Sequence, residues 1–488
     1  MKNKSLRINF LMNALLTMSS FIFPLITFPY ISRILLPVGS GKISVATSFV
    51  QYFNMFAQLG IPVYGIRICA QVRDNRKELT RTAHELLFLN ILMGLISYII
   101  LGVLIVTVPR LRQERTLYIV ISFTIILTAI GMNWLYQALE QYTYITIRSI
   151  IFKIIAILAM FLLVHEQEDY VIYGAISIFA ASASNICNFI NVHKYIDLKF
   201  VGKYNIRRHI KPVLVFFAMS CATTIYTNLD TVMLGFMKTD EDVGYYNTAV
   251  KIKSILVSLV TSLGAVLLPR ASYYIKQGNM SEFKRINKKA LNFVFLVSCP
   301  LTVYFIMFAK AGIFFLSGKE FGGSILPMQI IMPTLIFIGV SNILGIQMLI
   351  PLGKEKIVLY SEIAGAAVDL IINALLIPRY ASAGAAIGTV VAELVVVCFQ
   401  AFALRNDIGQ YFKGISYIKI LIAVVTSTVV CIWFTQVKWS NFSVLISSGC
   451  TFFAIYGGVL LVLREKLTIE VVKGIFEKKN SLQIKSQG

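Results

Sequence analysis

Residues 86–107 read LLFLNILMGLISYIILGVLIVT, a run of 22 residues without one charged side chain. A helix of that length measures about 33 Å at about 1.5 Å per residue, enough to cross a hydrocarbon core about 30 Å thick. No water is available at that depth, so every backbone N–H and C=O must be satisfied within the segment, and a helix does this. Similar runs recur on both sides of it. Fourteen spans are expected, from 9–36 and 42–66 through 212–236 and 243–268 to 415–434 and 442–463. The first follows Lys2, Lys4 and Arg7. It is longer than a signal-peptide apolar region and shows no small-residue cleavage site, so it reads as a retained helix. The whole 488-residue chain agrees, with 57% hydrophobic residues, 14% charged residues and a mean hydropathy of +0.76. A soluble domain carries about 25% charged residues. The expected fold class is an all-α integral membrane protein.

The net charge is +22. In a soluble chain that excess would point to nucleic acid. Here the Lys and Arg residues sit mostly in short loops, where they set orientation instead, and no nucleic acid partner is expected. One set of loops holds Lys2 to Arg7, Arg67 to Arg81, Lys194 to Lys211, Arg270 to Lys289 and Arg464 to Lys485. The alternate set holds the acidic stretches His165 to Asp169 and Lys238 to Asp242. About 32 basic residues fall on the first side and about 10 on the other, so both termini are expected in the cytoplasm. Seven Cys and four His are scattered without metal-ligand spacing, and no cofactor is expected beyond a coupling H⁺ or Na⁺. Gly39-Ser40-Gly41-Lys42 ends like a phosphate-binding loop, but Leu36 stands where the leading Gly belongs, which excludes nucleotide binding.

The chain also repeats itself. A shift of 203 residues lays Gly41 on Gly244, Ala46 on Ala249 and Arg67 on Arg270. Such a repeat divides the chain into an N-terminal six-helix lobe (1–193), a basic cytoplasmic linker (194–211) and a C-terminal six-helix lobe (212–405). Helices 13 and 14 (406–463) and a cytoplasmic tail (464–488) follow. Six is even, so both lobes enter from one side. They form parallel, pseudo-symmetric repeats with a cavity expected between them.

Three stretches carry a resemblance. Residues 24–35 (Pro24-Leu25-Ile26-Thr27-Phe28-Pro29-Tyr30 through Leu35) and 58–67 (Gln58-Leu59-Gly60-Ile61-Pro62 through Arg67) are similar to the polysaccharide flippases. These are the Wzx-type members of the superfamily that also holds MATE exporters and the lipid II flippase. Asn228-Leu229-Asp230-Thr231 through Gly235, with Val243-Gly244-Tyr245-Tyr246-Asn247, resembles that family's turn between the seventh and eighth helices. The resemblance implies a bacterial cytoplasmic-membrane transporter rather than an enzyme. Its cargo would be an undecaprenyl-diphosphate oligosaccharide, flipped to the outer leaflet by alternating access for capsule, exopolysaccharide or O-antigen assembly. It would work as a monomer in the lipid bilayer beside polysaccharide polymerase machinery. A MATE-type drug/cation antiporter and a lipid II flippase remain rivals at this point.

Ionisable side chains inside spans are costly and so are functional candidates. Lys153, Lys251 and Lys253 are expected to line the central cavity and bind the diphosphate or sugar. Arg33, Arg67 and Arg270, nearer span ends, complete the substrate-binding set, and Arg148 is read as an end residue too. Asp230, Asp369 and Glu393 are the ion-coupling candidates, with Asp369 and Glu393 at matching depth on consecutive helices.

Overall fold

A computed structural model of the chain describes residues 6–413, 415–470 and 473; Lys2, Lys4 and most of the expected 464–488 tail lie outside them. Among the described residues the chain is helical and contains no strand. It divides into two compact units, the first ending at Asn247 and the second starting at Thr248.

The first unit opens with α1 (Leu6–Gln58), broken at Leu36 (φ 56, ψ −178) just before Pro37. Two left-handed residues, Leu59 (φ 46) and Gly60 (φ 70), separate it from α2 (Ile61–Gln71). Asn75 then caps α3 (Arg76–Thr107), its side chain accepting the N–H groups of Lys77 and Glu78; such a cap is worth about 1 kcal/mol. Next come α4 (Pro109–Gln113), α5 (Arg115–Gly131) and the short α6 (Asn133–Ala138), with left-handed Met132 between the last two. After α7 (Tyr142–Leu163), α8 (Tyr170–Ile178) continues through a π-helical turn at Phe179–Ala183 into α9 (Asn185–Asn191). The unit ends with α10 (Arg207–Met237) and the start of α11 (Asp240–Lys276).

The second unit holds the rest of α11, then α12 (Met280–Met307), α13 (Ala309–Leu316), α14 (Ile325–Ile331) and α15 (Thr334–Ser341). A π-helical segment, Asn342–Leu349, extends α15. The long α16 (Glu355–Ala403), α17 (Arg405–Phe412), α18 (Tyr417–Cys431) and α19 (Asn441–Val462) complete it.

The pattern along α3 shows what solvent these helices expect. Leu95, Ile99, Val103 and Val106 follow helical spacing and are exposed, whereas Gly94, Ser97, Leu101 and Ile105 are buried. One side of the helix thus presents only large apolar groups outward, while the small and polar residues Gly94 and Ser97 lie on the packed side with Leu101 and Ile105, as in helices packed together in lipid. Eleven helices are long and apolar enough to cross a membrane, or twelve if the bent pair Lys319–Ile331 and Thr334–Leu349 is one span. The fourteen expected from sequence exceed this because α1 and α16 each run on through a break.

In α16 that break is a reversal. Ala381 (φ 47, ψ −125) interrupts the helix. Gln400 Nε2 donates to Ser361 Oγ at 3.0 Å, although a continuous helix would hold those residues nearly 60 Å apart. A Cβ on Gly388 would lie 2.2 Å from Asn373 Oδ1, and one on Gly384 would lie 2.6 Å from the Leu376 carbonyl oxygen. The two legs are therefore antiparallel, and their pairing sets Glu393 level with Asp369.

Past the end of α19, Glu465 is fully buried. Its carboxylate accepts the Thr468 N–H (2.7 Å) and O–H (2.8 Å), the Asn292 amide (2.9 Å) and the Ser416 hydroxyl (3.2 Å). Burial pushes its pKa up, but the Thr468 N–H, the Asn292 amide and the Thr468 hydroxyl outweigh this and hold it below the ordinary carboxyl value. A depressed folded-state pKa contributes stability above the unfolded value, which is lost as pH falls through the folded one. Wild type is therefore expected to lose more thermal stability than Glu465→Gln between pH 7 and pH 4. Melting in detergent at both values checks this; parallel losses would contradict it.

Candidate functional site

Within the first unit, α1, α6, α7, the π turn and α9 enclose a cavity of about 420 Å³. Its wall is rich in amides and hydroxyls, including Asn133, Gln137, Ser149, Ser177, Ser184 and Asn185. The geometry comes from two irregularities. Left-handed Met132 turns Asn133 out of line with α5, and Gly131 lets α9 close in, since a Cβ there would lie 2.5 Å from the Asn185 side chain. The π turn then places Ser184 and Asn185 at the start of α9. Single π turns inside helices often occur at functional sites.

Two cations from α7 line this cavity. Arg148 is only 6% exposed. Its guanidinium donates to Asn133 Oδ1 (2.6 Å), Ser184 Oγ (2.8 Å) and Asn185 Oδ1 (3.3 Å). Its Nε–H has no partner among the described residues. Asn188 steadies the cluster by donating to Asn133 Oδ1 (2.9 Å) and the Gly131 carbonyl (2.6 Å). Lys153 Nζ donates to the hydroxyls of Ser19 (2.8 Å) and Ser20 (3.1 Å). Among the described residues, every acceptor around both cations is neutral. A buried charge is ordinarily paired, because desolvating it costs several kcal/mol. Two cations without a carboxylate partner give this wall the charge complement of an anion.

Arg148 is the correction to the sequence reading, which placed it near a span end. Its six-residue distance from the start of α7 says little about burial, because α6 and α9 fold over that end and cover it. Asn133, Ser184, Asn185 and Asn188 belong to the site as well, and their signal in the sequence is four amide or hydroxyl residues in otherwise apolar spans.

The other expected site residues are dispersed. Arg33 is exposed on α1 and donates to the Pro29 carbonyl of its own helix. Arg67 on α2 and Arg270 on α11 are exposed. In the second unit, Lys251 is exposed and Lys253 half-buried, both on α11. Asp230 is buried on α10 and accepts the hydroxyl proton of Tyr246. Asp369 and Glu393 are buried on opposite legs of α16. Asp369 is one helical turn from buried Asn373, and an oxygen of each faces the bare Cα of Gly388.

A second constellation forms where the break in α1 meets the α10–α11 turn. A Cβ on Gly41 would lie 1.7 Å from the Asp240 carbonyl oxygen, and one on Gly244 would lie 2.1 Å from the Pro37 carbonyl oxygen. Pro37 and Asp240, like Gly41 and Gly244, are separated by 203 residues. Each glycine thus meets the counterpart of the residue that its own counterpart meets. This is the reciprocal pattern of a two-fold contact. Two ion pairs flank the seam, Arg110–Asp240 (2.5 Å) and Lys42–Glu114 (2.6 Å). Lys42, the residue of the loop-like phosphate motif, is thereby engaged by a carboxylate.

Two curated relatives cover almost their whole length. The "Putative O-antigen transporter" of Escherichia coli (strain K12) is 24% identical over 408 residues, 83% of this chain and 97% of that protein. The protein so described from Shigella dysenteriae is 26% identical over 420 residues, 81% of this chain and 99% of that one. Among solved structures, lipid II flippase MurJ in an inward closed conformation superposes with a TM-score of 0.75 at 16% identity, covering 94% of this chain and 99% of MurJ. An inward-facing multidrug resistance MATE transporter gives 0.58 at 13% identity, covering 81% and 99%. At these identities the structures show a shared fold. The family model described as "Polysaccharide biosynthesis protein" matches residues 6–275, more than half of the chain and all of its first unit from α1 onward, and the protein is therefore a multi-pass membrane member of the polysaccharide biosynthesis protein family.

Proposed function

We propose that the protein is a lipid-linked oligosaccharide flippase. It carries undecaprenyl-diphosphate-linked repeat units from the cytoplasmic to the outer leaflet of the bacterial cytoplasmic membrane by alternating access. The observation that carries this reading is the carboxylate-free cavity of the first unit, with Arg148 and Lys153 on one wall. A diphosphate is a dianion or stronger, and charge-assisted N–H donors are its natural partners. The two cations are five residues apart, about 7.5 Å along α7, so a two-phosphate headgroup can engage both. The amides and hydroxyls around them suit sugar hydroxyls. Relatives described as putative O-antigen transporters support the cargo class.

On this reading Lys251 and Lys253 supply further cations from α11, Arg67 and Arg270 admit the headgroup at the cytoplasmic face, and Arg33 acts nearer the other face. Both termini lie in the cytoplasm, as the loop charges direct. The breaks in α1 and α16 are turns between membrane passes, and the six-helix lobes at 1–193 and 212–405 are the alternating bodies. Asp230, Asp369 and Glu393 serve an H⁺ or Na⁺ coupling step, favoured by the buried oxygens gathered around Gly388. The working unit is a monomer that delivers its product to polymerase machinery.

The test is reconstitution in liposomes with a fluorescent undecaprenyl-diphosphate oligosaccharide and a quencher confined to the outer leaflet. Wild type is expected to flip the lipid. Lys153→Ala is expected to slow flipping about tenfold, the worth of one charge-assisted hydrogen bond of about 1.5 kcal/mol, with smaller losses for Lys251→Ala and Lys253→Ala. If wild type leaves the lipid in place but moves a cationic dye against an ion gradient, the reading is replaced by that of an antiporter.

A further inference from the structure

The basic linker that follows α9 carries an apolar tip that the fold holds in the open. Ile196 is buried in one cluster with Leu79 and Ala83 of α3. Asp197 donates its N–H to Thr80 Oγ1 (3.1 Å) and pairs with Arg76 (2.8 Å). Beyond the tip, Gly202 (φ 103) turns the chain back. Tyr204 Oη then lies 2.8 Å from His84 Nδ1 and accepts the Val201 N–H at 3.3 Å. Arg76, Thr80 and His84 are one turn apart, so both ends of the hook 198–203 are seated on the start of α3. Leu198 is nonetheless 68% exposed and Phe200 77% exposed.

This tip continues a face of α3 that already belongs to lipid. Phe88, Leu92, Leu95 and Ile99 recur at helical spacing and are all exposed, and Phe88 ends the stripe. The Tyr204 ring packs edge-on against Phe88 at 5.5 Å, and the Phe200 ring packs edge-on against Tyr204 at 4.6 Å. Apolar surface thus runs unbroken from the middle of α3 to the tip of the hook. A single exposed apolar side chain is ordinary, but a contiguous patch with a polar rim marks an interaction surface. The rim here is basic. Lys194, Lys199 and Lys203 are exposed, and the one acidic side chain between 194 and 211, Asp197, is taken up by Arg76. A soluble protein would have to displace lipid from Phe88 to cover the patch, whereas the headgroup layer meets α3 at this level in any case.

We propose that the hook 198–203 is a docking surface for anionic phospholipid, with Leu198 and Phe200 entering the acyl boundary beside Phe88 and Lys194, Lys199 and Lys203 holding lipid phosphates around them. Apolar insertion and basic charge are the two signals that together keep a segment at an anionic membrane surface. The surface ends at Tyr204, ahead of α10, and leaves the motion of α10 open. It rests on the proposed orientation only for the leaflet, the cytoplasmic one. Its readout needs no cargo, so flipping and lipid docking can fail separately.

The test places an indole in the hook. Trp134, Trp433 and Trp439 are replaced by Phe, and Phe200→Trp is introduced into the full chain. The protein is reconstituted in vesicles of phosphatidylcholine and phosphatidylglycerol, with the acyl chains of one lipid or the other brominated near the headgroup. Blue-shifted emission is expected, quenched about fivefold more by brominated phosphatidylglycerol at equal mole fraction, the worth of one lysine near an anionic surface. Lys199→Gln combined with Lys203→Gln, both at exposed positions, should bring the two lipids to equal quenching, and added NaCl should act in the same direction. Leu198→Trp reads the same surface independently, should Phe200→Trp fold poorly. Equal quenching by the two lipids before any lysine is changed overturns the inference. So does emission that neither lipid quenches but aqueous iodide does, the result expected if the patch faces water or a soluble partner.

Discussion

Gly244→Val is expected to reduce flipping by roughly 5- to 150-fold while the protein still inserts and folds. At the seam between α1 and the α10–α11 turn, the atoms that a Gly244 side chain would strike are the backbone atoms of Pro37, with a first carbon already 2.1 Å from its carbonyl oxygen. No rotamer change can relieve that overlap. One side of the seam must move, at a cost of about 1–3 kcal/mol, or roughly a factor of 5 to 150 in a two-state equilibrium. A transporter that must close this seam once per cycle would spend most of its time with it open. Gly41→Ala is expected to act in the same direction, since its Cβ would lie 1.7 Å from the Asp240 carbonyl oxygen. Because both substitutions load one contact, the double variant should fall short of the summed effects. Labelling of Ser40→Cys with a membrane-impermeant maleimide gives a second reading, and the reagent should react faster in the Gly244→Val background. Wild-type flipping and labelling rates would show that the seam is a fixed packing contact rather than a moving one.

The glycine pair is also where sequence and structure meet most directly. A shift of 203 residues could align Gly41 with Gly244, but only the fold shows that the two touch. The apolar spans were legible because the bilayer allows few solutions: a run such as 86–107 must be helical, and loop charge is the one cheap orientation signal. The exact number of passes was less so. Helical backbone resumes within a residue of Leu36 and Ala381, so the breaks carry no polar loop. Side-chain chains of long sequence separation were not legible at all. Tyr64 Oη meets His209 Nδ1 at 2.8 Å across 145 positions, and no local period links the two. Lys153 could be flagged by depth along its helix, whereas Arg148 could not, because its burial depends on α6 and α9 folding over the end of α7.

Replacing Arg148 with methionine is expected to abolish flipping and yet leave the protein as stable as wild type or more so. The two effects have one cause. A cation only 6% exposed and held by neutral acceptors has lost most of its hydration without gaining a counter-ion. Replacing a buried charge with a well-packed apolar side chain is often neutral or stabilising by about 1–4 kcal/mol. The substitution takes a donor from Ser184, but Asn133 Oδ1 keeps the Asn188 amide and Asn185 Oδ1 keeps the Asn133 amide (2.9 Å each), and the cavity is large enough for water to serve Ser184. The functional loss follows from the same desolvation. Hydrogen bonds to a charged group are worth about 1.5–3 kcal/mol each, and Arg148 can present a planar fork to phosphate that an apolar chain cannot. Loss of two such bonds corresponds to a fall in cargo affinity of about two to four orders of magnitude. Arg148→Lys keeps the charge without the fork and should lie between the two, with weakened flipping and stability near that of wild type. Melting curves and liposome flipping measured on the same preparations separate the possibilities. If Arg148→Met flips normally, the anion does not use this wall of the cavity. If instead it melts well below wild type, Arg148 is a structural tie among α6, α7 and α9, and the functional claim passes to Lys153 alone.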